Sequence, residues 1–169
     1  LYFSDRHWWE CNNRAEPSYI RFAGRKVTLE NKRITQGQDG RPPEEPGVLS
    51  LANYGDGTAL RGLCFQRDGV HTGNNGGFQA MNLAVHLGAK RILLLAFDMR
   101  RVGNRAQWHD KHKRPTPPDV YANNMIPQFE AAVKDLDMLG VKVINCTPGS
   151  ALKCFPIMPV EEACRAPGA

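Results

Sequence analysis

The chain has 169 residues, 41% hydrophobic and 23% charged, with a formal net charge of +5 and a pI near 9.1. That length suits one domain with a buried core, and the composition is that of a globular protein, not a disordered or fibrous one. The longest apolar run, residues 92–97, is too short to span a bilayer, no signal-peptide pattern opens the chain, and five cysteines without a CxxC pair argue against a disulfide framework or structural zinc.

Residues 1–4 read as a strand already under way, with no Met before it, so further chain is expected upstream. Asp5 fits an N-cap for a helix over residues 6–12, which would carry Trp8 and Trp9 as aromatic anchors. Residues 25–30 alternate and include Val27 and Thr28, which predicts a strand with Asn31 at its carboxyl end. Residues 32–47 turn to Gln, Gly, Asp, Arg and Pro and are expected to form a mobile surface loop. Short strands are expected over 48–52 and 60–66.

The strongest local pattern runs from Gly73 to Met99. Gly73, Asn74, Asn75, Gly76 and Gly77 open an apolar-periodic segment in which Phe78, Met81, Ala84, Val85 and Leu87 lie near one face of a helix. Gly88 stands where a helix ends. The continuous apolar run 92–97 then predicts a central strand buried on both faces, ending at Asp98. A long helix is expected over 118–139, with Val120, Met125, Phe129, Ala132, Val133, Leu136 and Leu139 as its buried stripe and Gly140 as its cap. A strand over 141–145 follows, then a turn through Cys146, Thr147, Pro148, Gly149 and Ser150. A short helix over 160–164 and a frayed tail close the chain. The pattern is α/β: a Rossmann-like, mostly parallel sheet with helices on both faces, in a single domain over residues 1–169.

In such sheets ligands bind beyond the carboxyl ends of the strands, where Asn31, Asp98 and residues 145–150 fall. Glycines permit close backbone approach, and the free N–H groups of a helix start favour phosphate or carboxylate. The run matches neither GxGxxG nor the P-loop, and it also fits a simple capped loop–helix junction with Asn75 as cap. His109 and His112 lie in the polar segment after the central strand. One of them could act as a general base near neutral pH, and the pair also fits a solvated loop. No third ligand stands at diagnostic spacing, so no metal site is expected. His7, His71 and His86 read as structural. Asp98 could hold a ribose or a metal, or cap the next turn, and Asn145 and Ser150 could bond a base or phosphate or simply make the turn. The basic balance favours a small anionic partner, and no nucleic-acid module signature is present.

The run from Gly73 through Gly88 to Asp98 resembles the core of the DUF115-like proteins. These include phage and prophage proteins and the archaeal 6-hydroxymethylpterin diphosphokinases. It also resembles the bacterial sialyltransferases of glycosyltransferase family 42. Those enzymes share a Ser-Gly loop, a helix, a Leu-Gly turn, an apolar strand ending in Gly-x-Asp, a His-containing loop and a Cys-Pro-Asn-Ser-like turn. The last corresponds here to Cys146 through Pro156. The resemblance implies that Asn31, Gly76 and Gly77 contact a sugar-nucleotide donor, with Ser150 in the nucleotide-binding turn. It makes His112 the catalytic base, with His109 where a helper tyrosine stands. The chain departs from that pattern at Gly76 (Ser in the family), at Ala96 (Gly) and at Gly73 (Arg), and it lacks the family's first strand with its Asn-bearing turn.

The function expected is a nucleotide- or nucleotide-sugar-binding transferase of glycosyltransferase type, cytoplasmic and compatible with phage origin. Its catalytic set would be His112, His109 and Asp98, and its nucleotide contacts Asn31, Gly73, Asn74, Asn75, Gly76, Gly77, Asn145, Thr147, Gly149 and Ser150. It would hold no tightly bound cofactor and no membrane span, and self-association into a homo-oligomer is compatible with it. Two alternatives stay open: a Mg²⁺-dependent diphosphokinase acting on a hydroxymethyl group, with Asp98 and Asp110 as ligands, and a non-catalytic nucleotide-binding or interaction protein.

Overall fold

The computed structural model describes residues 2–3, 21–29, 48–55, 59–106 and 116–165. In chain order its elements are β1 (Tyr2–Phe3), β2 (Lys26–Leu29), β3 (Val48–Asn53), β4 (Gly69–Val70), α1 (Gly76–His86) and β5 (Arg91–Leu94). There follow α2 (Pro118–Val120), a π-helical turn (Tyr121–Met125), α3 (Ile126–Met138), β6 (Lys142–Asn145) and α4 (Val160–Arg165). Every pairing between these strands is parallel. β1 to β4 lie side by side in sequence order, with Tyr2 opposite Val27, Lys26 opposite Val48 and Ala52 opposite Gly69. β5 and β6 make a second sheet of two strands, Arg91 facing Lys142 and Leu94 facing Asn145. The chain is therefore α/β with small parallel sheets and few helices. No helix among the described residues is long and apolar enough to cross a membrane.

α1 begins where expected. Asn75 is extended, and its side chain accepts the Phe78 N–H at 3.0 Å, closing one orphan donor of the first turn. Leu87 closes the helix, and Gly88 follows at φ +85°, the left-handed conformation glycine adopts without a Cβ penalty. The 118–139 helix is broken by the π-helical turn, in which the Ile126 N–H reaches the carbonyl of Tyr121. Pro127 lies just beyond it in the first turn of α3. Proline has no N–H and crowds the preceding turn, and widening by one residue accommodates it.

Two expected strands differ. Residues 60–66 pair with no strand among the described residues. The segment lies between α1 and α3, whose polar side chains take over the ladder's role. Buried Asn82 accepts the Cys64 N–H at 2.8 Å and donates to the Cys64 carbonyl at 3.1 Å, while Asp135 accepts the Leu63 N–H at 2.8 Å. Gly62, at φ +67°, leaves room for that carboxylate, which a Cβ would strike. The apolar run 92–97 keeps extended pairing only to Leu94. Leu95 is 57% exposed, and Ala96 turns to φ +60°, so the run is neither wholly strand nor buried on both faces. β4, over Gly69–Val70, has too short a sequence pattern to be predicted.

The main core centres on Phe129 of α3, which is fully buried. Phe78, Phe97 and Phe155 meet it edge to face, with ring centroids 5.3, 5.9 and 6.4 Å away. Each such contact contributes about 0.5–1.5 kcal/mol beyond the area it buries. Met81, Leu94, Leu136, Val143 and Leu152 are among the other members of this core, which joins α1, α3, β5, β6 and the segment after β6.

Candidate functional site

The segment that leaves β5 is held from two sides. The backbone of Phe97 is gripped by the turn after β6: its N–H donates to Thr147 Oγ1 at 2.8 Å, and its carbonyl accepts from Ser150 Oγ. Its ring lies against Gly77, where a Cβ would come within 2.5 Å of the ring edge. Phe97 thereby joins the turn over residues 73–77 to the turn over 146–151. Two further bonds fasten the second turn. The Ala151 N–H donates to the Asp98 carbonyl at 2.8 Å, and Arg100 Nε donates to the Gly149 carbonyl at 2.8 Å. The turn over residues 73–77, the end of β5 and the turn after β6 therefore meet at Phe97.

The π-helical turn adjoins them. Asn75 Nδ2 reaches Met125 Sδ at 3.6 Å, and the Tyr121 hydroxyl donates to the Ala106 carbonyl at 2.7 Å. Ala106 is therefore tethered to the element that touches Asn75. His109 and His112, like Asp110 and Asn31, lie outside the described residues, as do the helix expected over 6–12, the loop over 32–47 and the tail beyond Arg165.

Glycine in the 73–77 turn has a packing reason. Gly73 is left-handed (φ +53°), and a Cβ there would strike the Phe78 ring; Gly77 gives way to Phe97. Asn74 shares the left-handed backbone at φ +51°. A ligand is left the backbone donors: the N–H groups of Gly76 and Gly77 have no acceptor among the described residues. In the second turn the polar side chains face inward. Fully buried Asn145 donates from Nδ2 to the Leu152 carbonyl at 3.1 Å and accepts the Thr147 N–H at 3.1 Å. Ser150 Oγ also accepts the Leu152 N–H at 3.0 Å. Asn145, Thr147 and Ser150 thus build the turn with the atoms expected to touch a nucleotide, and Gly149, at φ +72°, offers its carbonyl to Arg100.

Asp98 is different. Its carboxylate is half-buried and makes no hydrogen bond or ion pair among the described residues. Left-handed residues flank it, Ala96 at φ +60° and Met99 at φ +49°. Non-glycine residues rarely adopt this conformation, and such strain concentrates at functional sites. All three non-glycine residues with positive φ among the described residues, Asn74, Ala96 and Met99, belong to these converging segments. Arg101, which sequence reasoning passed over, keeps its Nε buried without a hydrogen-bond partner among the described residues. No local sequence signal marks it, because the pattern lies in the fixed backbone on either side.

His71 and His86 serve the fold. His71 Nδ1 lies 3.0 Å from the Gly62 carbonyl, and His86 Nε2 lies 3.0 Å from that of Gly69. Buried Cys64 and Cys146 and half-buried Cys154 are poor nucleophiles: desolvation pushes the first two thiols up and lifts Cys154 to about 11. Among the described residues no three of His, Cys, Asp and Glu group as a metal-binding set. Comparison with protein-family models, with curated proteins and with solved structures finds no match.

Proposed function

We propose that the chain is a nucleotide- or nucleotide-sugar-binding transferase of glycosyltransferase type, built on a Rossmann-like domain. The observation that carries this reading is the junction at Phe97–Asp98. There the glycine turn before α1, the end of β5 and the turn after β6 are fastened together, leaving two backbone N–H donors and one carboxylate without partners among the described residues. Free donors at a helix start suit phosphate oxygens. An ionised carboxylate accepts hydrogen bonds and does not donate, so Asp98 suits sugar hydroxyls. The π-helical turn, a feature often found at functional sites, is tied through the Tyr121 hydroxyl to the Ala106 carbonyl, three residues before His109 in the sequence.

In this mechanism the nucleotide lies across residues 73–77 and 146–150. His112 removes the acceptor hydroxyl proton as that oxygen attacks the donor carbon, and the nucleotide leaves carrying the bonding electron pair. No resident metal is required. Free thiols at Cys64, Cys146, Cys154 and Cys164 support a cytoplasmic setting. Calorimetric titration with CMP, UDP-sugars and ATP tests binding, and His112→Ala with an intact fold tests the chemistry. Heat with at least one nucleotide and loss of transfer in the variant are expected. No heat with any of them returns the chain to a non-catalytic interaction role, and activity abolished by EDTA favours the Mg²⁺-dependent diphosphokinase alternative.

A further inference from the structure

Asp98 and Arg101 are opposite charges three residues apart, yet they do not pair. Neither side chain makes a hydrogen bond or ion pair with any described residue, and Arg101 Nε is the single buried side-chain nitrogen or oxygen among them without a partner. The backbone accounts for the separation. The Asp98 carbonyl is tied to the Ala151 N–H, Arg100 is turned to the Gly149 carbonyl, and between them Met99 is left-handed with its side chain in the core. A guanidinium does not lose its proton, so a buried N–H on it is costly until an acceptor satisfies it. Its planar fork suits a tetrahedral oxyanion. The half-buried carboxylate repels that anion and accepts hydroxyl donors.

We infer that Asp98 and Arg101 are two arms of one recognition device. Arg101 anchors a phosphate and Asp98 accepts the hydroxyls of the adjoining sugar, so the site takes a sugar phosphate through both halves. This deepens the proposed function and rests on it for the nucleotide that would carry that sugar phosphate. Four probes separate the arms by calorimetry: ribose 5-phosphate, inorganic pyrophosphate, CMP and cytidine. They are titrated into the wild type and into Arg101→Gln, Arg101→Lys and Asp98→Asn, each checked by thermal melting.

Arg101→Gln is expected to weaken pyrophosphate and ribose 5-phosphate at least tenfold and to bring CMP down to the affinity of cytidine. Arg101→Lys, which keeps the charge and loses the fork, falls between. Asp98→Asn is expected to weaken cytidine and ribose 5-phosphate severalfold and to spare pyrophosphate. Arg101→Gln leaving pyrophosphate and the CMP-to-cytidine ratio unchanged overturns the inference, as does a wild type that binds neither pyrophosphate nor ribose 5-phosphate. Ribose 5-phosphate bound through both arms, with no affinity for CMP, UDP-sugars or ATP, supports the device and removes the nucleotide reading.

Discussion

Replacing Gly77 by alanine sets a methyl group 2.5 Å from Phe97 Cζ, 2.6 Å from Cε1 and 2.9 Å from the capping oxygen of Asn75. Phe97 cannot retreat freely. Thr147 and Ser150 hold its backbone, and Phe129 meets its ring at 5.9 Å. Overpacking of this kind costs about 1–3 kcal/mol. Alanine gains at most about 1 kcal/mol of helix propensity over glycine. A net loss of about 1–2 kcal/mol lowers Tm by roughly 2–8 °C for a chain of this size. The discriminating assay is a double-mutant cycle by urea denaturation with Phe97→Leu, which removes both crowded ring atoms. In the Phe97→Leu background, where only the Asn75 oxygen still crowds the methyl, Gly77→Ala should cost about 1–2 kcal/mol less than in the wild type, which is the coupling energy. If Gly77→Ala costs the same in both backgrounds, Phe97 does not seat on Gly77, and the joining of the two turns is refuted.

Other outcomes follow from the same geometry. Ala96→Gly relieves a left-handed alanine worth about 1–2 kcal/mol and loses part of that to unfolded-chain entropy, so denaturant unfolding should show a gain of about 0.5–1 kcal/mol. Asn82→Ala leaves the Cys64 N–H and carbonyl buried without partners and should cost about 2–4 kcal/mol by the same method. Cys154 carries a thiol pushed up to about 11 from 9.0 by burial. The folded state therefore keeps the proton that the unfolded chain sheds first. Its contribution is fully present below pH 9 and is lost as pH rises through about 11, so Cys154→Ala should flatten the alkaline fall in stability. Residue-resolved alkylation should label exposed Cys164 in the native state and reach Cys64 and Cys146 only on unfolding.

The helix over residues 76–86 and its Asn75 cap are legible in the sequence because cap, period and terminal glycine all agree there. The run 92–97 misleads for a physical reason. Six apolar residues look like strand whether or not one of them turns left-handed, and Ala96 does so without a glycine to announce it. Residues 60–66 carry strand-like composition, but their backbone partners are side chains of Asn82 and Asp135, distant in sequence and belonging to helices. At the candidate site, Asn145, Thr147 and Ser150 stand at the end of β6 and in the turn after it, as their place in the sequence implies. Polar groups that build a turn and polar groups that face a ligand look alike in a sequence, because both uses favour the same residue types. Asp98 is visible from its position at the end of the apolar run. Arg101 is not, since its isolation depends on bonds made by Arg100 and Ala151 and on the turn at Met99.

The functional account is tested most directly by amide chemical-shift mapping of the isotope-labelled chain titrated with CMP, a UDP-sugar and ATP. At least one should shift the amides of Gly76, Gly77, Asp98 and Arg101 together in a saturable way. Saturable shifts confined elsewhere, or none with any of the three, would contradict a nucleotide site at the Phe97–Asp98 junction.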